Sequence, residues 1–428
     1  MKIKPLIFIA LLWGCTPVSQ SSLNSSGNPK SIRFQDFAYE PQIRTMVIRP
    51  GFNDPLTWLE PAATAMGEWN LILEFDDLRA ERDHYYLRLI HCNYDWTRSH
   101  LMDLDFLHDF NEFPVNEFEF SVDTHVPYVH YRIALPPVKL PGNYLAIVYR
   151  EGDKNDIVLT KRFMVYDNRV TFASERNLMG AGSAAQLNQQ INFTINYSHL
   201  DVINPLERIK VAIRQNRRWD NMATDIRPSF VREIEKELEY RFFESEKMFK
   251  GGNEFRFFDL RSLHNPGRNV AHVDKARVPY EVYIERDKPR THEVYSQLPD
   301  YNGGFIPDNL DYRDPAFTNY AYVNFTLAAP TPWRGHVYVT GAFNYWNLNE
   351  INEMRYDSAR SEYHARILLK QGWYDYQYLV KAEDVPPYHI EGSHFETENA
   401  YEILVYYRPI QQQADLLIGY TRLERNQR

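Results

Sequence analysis

The chain has 428 residues, 44% hydrophobic and 25% charged, which is the balance of a folded globular protein and excludes wholesale disorder. Its 8 Trp, 30 Tyr and 25 Phe lean it toward β-structure, where flat rings pack well on a pleated surface. A formal net charge of −9 excludes a basic surface for nucleic acid as its main purpose.

The chain opens on an export signal. Met1 to Lys4 is short and positive, and Pro5 to Trp13 is an apolar run too short to cross a bilayer core of ~30 Å. Leu12-Trp13-Gly14-Cys15 resembles the lipobox of bacterial lipoproteins, which implies that residues 1–14 are removed and that Cys15 carries lipid. Loss of Lys2 and Lys4 then takes the net charge from −9 to −11. Residues 15–30 read as a flexible tether, since TPVSQSSLNSSGNPK (16–30) has no apolar periodicity. With Cys15 lipidated, Cys92 has no partner within the chain, so stability must come from packing. Beside Ile90, Cys92 reads as a small buried hydrophobe.

From Ile32 onward the pattern is one of short alternating segments. Residues 43–50, 69–78, 84–92, 117–122, 128–136, 143–151 and 161–167 read as strands, broken by Asn53-Asp54-Pro55, Pro136-Pro137 and Pro141-Gly142. Residues 31–168 are therefore expected to form an antiparallel sandwich. In a second block, 169–298, residues 189–197, 209–215 and 280–284 alternate, while 234–248 suits either a helix opening or an edge strand. A Pro/Gly/Asn/Asp-rich connector containing Asn302-Gly303-Gly304 leads into the third block, 299–428, with strands at 321–327, 336–343, 362–369, 373–380 and 400–408. The expected fold is all-β, with three tandem Ig-like or early-set sandwiches in a row.

Catalytic and metal signatures are missing: there is no GxSxG, HExxH, CxxC, Walker loop or GxGxxG. Gly180-Ala181-Gly182-Ser183 lacks a following lysine and reads as a turn. The histidines between His84 and His130 lack the close pairing of a zinc site. Carboxylate pairs such as Asp76-Asp77 have no spacing that frames a sugar cleft. Neither an enzyme nor a cofactor is expected.

Aromatic turns are more informative. Gly341-Ala342-Phe343-Asn344-Tyr345-Trp346, followed about 26 residues later by Gly372-Trp373-Tyr374-Asp375-Tyr376-Gln377-Tyr378, resembles the early-set sandwich of glycogen-binding and related carbohydrate-binding modules. Trp346 matches the first stacking ring of that family. Gln377 stands where the family has a lysine, and the hairpin at Glu383–Pro387 lacks the second tryptophan. Trp346 is thus expected to pack or to contact protein, with Phe343, Asn344 and Trp346 as candidate partner-contact residues.

A longer match runs through the chain. His91-Cys92-Asn93-Tyr94-Asp95-Trp96 with Ser99, Tyr128 to Tyr131, Pro141-Gly142-Asn143-Tyr144 and Arg162 to Tyr166 resemble the first domain of the type IX secretion system plug protein family of the Bacteroidota. Gly251-Gly252-Asn253-Glu254-Phe255-Arg256 resembles that family's middle region. Leu369 to Gly372, Glu391 to Asn399 and Ile418-Gly419-Tyr420 resemble its C-terminal domain. The resemblance implies a non-enzymatic periplasmic lipoprotein of the outer membrane, which closes the periplasmic mouth of the type IX β-barrel translocon. The barrel and the membrane are then its partners. The alternative is an outer-membrane glycan-binding lipoprotein of a nutrient uptake system.

Overall fold

In the computed structural model the described residues are 30–174, 186–224, 226–241, 249–312 and 314–426. Cys15 and Gly180 to Ser183 lie outside them. The strands fall close to where alternation puts them, and the two short α-helices, Asp103–Phe106 and Pro205–Arg208, are single turns. The chain is all-β.

The first sandwich uses two sheets. One runs in the order Phe37–Ala38, Ile157–Tyr166, Gly142–Arg150, Tyr85–Cys92, Phe113–Pro114, with Ala63–Ala65 parallel to Ile157–Tyr166. The other runs Ile43–Pro50, Leu71–Asp77, Val129–Ala134, Glu117–Phe120. Leu73, Phe75, Leu87, Leu89, Tyr131 and Ala146 fill the space between them. In the first sheet Gly142–Arg150 is buried along all but its last residue. Its outward residues Leu145 and Ile147 are covered by Leu404, Tyr406 and Leu417 from the far end of the chain. A near-continuous apolar run is what a strand covered on both faces requires.

The other two sandwiches do not follow the sequence blocks. Sheet pairing crosses the expected division at 298/299 in both directions. Ile209–Gln215 pairs with Asn399–Tyr407, which pairs with Leu416–Arg425, and this sheet faces Thr171–Ser174, Phe193–Asn196, Glu237–Tyr240 and Phe230–Arg232 across a core of Phe193, Ile195, Val211, Ile403 and Val405. The middle sandwich is therefore completed by the last strands of the chain. Arg256–Asp259, Val270–Asp274 and Glu281–Ile284 join Tyr320–Ala328, Glu362–Lys370 and Gly372–Lys381 in a nine-stranded sheet that curls round Phe258, Val323, Phe325 and Tyr376. The third sandwich is thus inserted into the second. Alternation records that one face of a strand is buried, but not which strand lies beside it. At 234–248 the described part holds the strand Glu237–Tyr240, flanked on both sides by other strands.

Candidate functional site

The turn at 341–347 sits where the three sandwiches meet. Asn344 fixes its shape: its Oδ1 accepts from the Gly341 N–H at 3.1 Å and its Nδ2 donates to the Val339 carbonyl at 3.1 Å. Tyr345 and Trp346 follow in the left-handed region, with φ of 58° and 59°. Phe343 drops into the third core and meets Tyr374 edge-on at 5.8 Å. Tyr345 points the other way, and its hydroxyl accepts from the Met46 N–H of the first sandwich at 3.0 Å. Asn347 donates to the Asp36 carbonyl at 3.0 Å. Trp346 is half-buried, with the Arg218 guanidinium of the middle sandwich 4.0 Å from its ring and Phe255 edge-on at 5.8 Å. Phe343, Asn344 and Trp346 therefore make contacts inside this chain, and the Trp346 ring is engaged where a carbohydrate module would leave it bare.

Around this turn the junction is aromatic and charged. Trp96 of the first sandwich meets Trp219 of the middle one at 4.7 Å. Arg214 stacks on Trp219 at 3.8 Å while pairing with Glu402 at 2.6 and 2.8 Å. Arg162 lies 4.8 Å from the same ring and bonds Asp36, as does Lys161. Burial opposes ionisation of Asp36, but Lys161 and Arg162 outweigh it and hold the carboxyl at about 2. A second seam joins the first and third sandwiches. There Asp76 receives Lys370, Tyr320 and His130, each at 2.7 Å. Buried ion pairs of this kind demand one relative placement of the two bodies that share them.

Sequence reasoning missed a surface on the first sandwich. Within residues 102–110, Met102 and Leu104 are 76% exposed and Phe110 is 93% exposed. These tips stand on a fixed base. Phe106 and Leu107 between them are buried, Leu107 bridges to Val138, and the Lys139 N–H donates to the Phe106 carbonyl at 2.8 Å. Asn111 closes the segment by bonding both the N–H and the carbonyl of Leu89 at 2.7 Å. Three apolar side chains are thus held out to solvent on an ordered base. The signal was present as Leu101-Met102-Asp103-Leu104-Asp105-Phe106-Leu107, apolar and acidic residues mixed with no Gly or Pro between them.

Cys92 and its neighbour His91 are both buried. Burial pushes the Cys92 thiol up to about 12 and the His91 imidazole down to about 4, the states of packed, unreactive side chains. Among the described residues no group of three or more His, Cys, Asp or Glu is placed to hold a metal ion. No helix among them is long and apolar enough to cross a membrane.

Fold and site together define an all-β body of three interlocked sandwiches. Residues 43–167 match the family model described as the type 9 secretion system plug protein 1st domain. These residues therefore carry the first domain of the type IX secretion system plug protein family. It is also similar to the crystal structure of a hypothetical protein from Parabacteroides merdae ATCC 43184, with 30% identity, 92% of this chain and all of that one covered, and a TM-score of 0.85. No curated protein matches it. That domain associates the chain with type IX secretion and with the cell envelope.

Proposed function

We propose that this protein closes the periplasmic side of the outer-membrane β-barrel translocon of the type IX system while no cargo is passing. A barrel wide enough for folded cargo breaches the permeability barrier, so its cover must be large and must not flex open. The observation that carries the reading is the junction at Trp346, Trp219 and Asp36, where three sandwiches lock into one body. The apolar tips Met102, Leu104 and Phe110 supply an anchor of the kind that dominates interface energetics.

In this reading Cys15 carries the lipid, and the tether holds the body close beneath the outer membrane, which raises its effective concentration at the pore. One acyl chain binds a membrane marginally, whereas the several chains of a bacterial lipoprotein hold firmly. The protein faces the periplasm. A Cys15→Ala form is expected to stay unlipidated.

Deletion tests the role. Cells lacking the protein should become sensitive to large antibiotics that the outer membrane normally excludes, while secretion of cargo continues. Tagged protein drawn from solubilised outer membranes should bring the translocon barrel with it. Normal resistance in the deletion strain, together with no barrel in the pull-down, would overturn the proposal.

A further inference from the structure

A cleft of about 550 Å³ lies between the first and third sandwiches, away from the loop at 102–110. Ligand pockets commonly measure roughly 300–1,000 Å³. One side is supplied by residues 37–45 and the other by Phe343 to Asn352 and Ile367 to Lys370, and the lining is largely apolar. Phe305, Phe343, Ile367 and Leu369 belong to the packed third core, so that wall is firm.

One group in the cleft is out of keeping with it. Arg44 is half-buried, and its Nε is shielded from water without a hydrogen-bond partner. The carboxylates nearby are already engaged. Asp76, opposite Arg44 in the strand register, is taken by Lys370, His130 and Tyr320. Glu40 is held by Lys30 and Arg150. Glu350 also lines the cleft, but it is exposed and makes no ion pair with Arg44 among the described residues. A buried donor left unpaired costs free energy, and a carboxylate on a guanidinium makes one of the strong, charge-assisted pairings.

We infer that this cleft binds a long-chain fatty acid, its carboxylate on Arg44 and its alkyl chain along Phe37, Ile351 and Leu368. The two halves of such a molecule match the two halves of the site: a single anionic head for an arginine that forms no ion pair among the described residues, and an unbranched apolar body for the apolar part of the lining. This goes beyond the plug reading and does not depend on it.

Fluorescence titration with cis-parinaric acid, and with its methyl ester as the neutral control, tests the inference on the soluble chain from residue 16. Saturable binding of one acid per chain is expected, with the ester bound more weakly. Arg44→Gln should weaken the acid by about tenfold, as loss of one charged contact does, and leave the ester unchanged. Ile351→Trp, at a half-exposed position in the lining, should reduce binding of both. Circular dichroism melts confirm that each variant is folded. Absence of saturable binding, equal binding of acid and ester, or indifference to both substitutions would overturn the inference.

Discussion

The ammonium of Lys370 stands 2.7 Å from the Oδ2 of Asp76, with both side chains buried, and so ties the third sandwich to the first. Removing one partner of such a pair strands the other charge away from water. Lys370→Met is expected to lower stability by about 3 kcal/mol, since breaking a buried pair typically costs 3–5 kcal/mol and Tyr320 and His130 remain on the carboxylate. Adding Asp76→Asn should recover part of the loss. Urea unfolding of the two variants checks this, and a loss below about 1 kcal/mol for the single change would show that the pair contributes little.

The same carboxylate sets an acid response. Burial opposes the charge on Asp76, but Lys370 and His130 overcome it and hold the folded-state value at about 2, against 3.8 for an unperturbed aspartate. A depressed carboxyl contributes stability that is complete above the unfolded value and is lost as pH falls toward the folded one. The contribution is about 2 kcal/mol at neutral pH. The stability gap between wild type and Asp76→Asn should therefore close between about pH 4 and pH 2, and should also narrow at higher pH as His130, whose value Asp76 helps to raise, loses its proton. A gap that persists unchanged at pH 2 would contradict the assignment.

Gly303 lies beneath Trp346 with φ of 77°, and a Cβ there would come within 2.6 Å of the indole. Gly303→Ala should destabilise by more than about 1 kcal/mol, from backbone strain and from the clash together. Trp346→Ala should cost about 2–3 kcal/mol, less than the full loss of a core tryptophan because the ring is half-buried. The double variant should be less destabilised than the sum, because the clash partner is gone. Strict additivity in thermal melts would argue against the contact.

Much of this fold was legible as strands and little of it as partners. Ile43–Pro50 and Ile209–Gln215 carry their period-two pattern within their own residues and were located to the residue. Asn399–Tyr407 was equally plain as a strand, yet its pairing with Ile209–Gln215 spans about 190 residues, and nothing in its alternation encodes that distance. The aromatic turn was recognised as a feature. Its meaning depended on Arg218 and Phe255, which reach it only through the insertion of one sandwich into another. Residues 102–110 escaped notice because exposed apolar tips break the rule by which buried strands are found.

The loop at 102–110 separates contact from stability. Met102→Ser, Leu104→Ser and Phe110→Ser together should leave the melting temperature nearly unchanged, because none of the three side chains is buried. Co-purification with the translocon should fall sharply, at about 2 kcal/mol for each side chain that acts as a hot spot. Undiminished recovery of the barrel would remove this loop from the interface.

Cys92 offers a simple check on packing. Its thiol is buried, donates weakly to the Ile90 carbonyl at 3.7 Å and is pushed up to about 12. Maleimide should label it only in denaturant, and reductant should not shift the melting temperature of residues 16–428. Rapid labelling of the native chain would show that the sheet opens there.

The insertion of the third sandwich has a bearing on how the molecule is made. Ile209–Gln215 must wait for Asn399–Tyr407 and Leu416–Arg425, so the middle sheet has no complete form until the final residues have emerged. Those late strands also cover Leu145 and Ile147 of the first sandwich, whose outer face stays bare until then. Chains cut short by even thirty residues would expose apolar surface on two sandwiches at once, and envelope proteases would have a ready mark by which to tell unfinished molecules from finished ones.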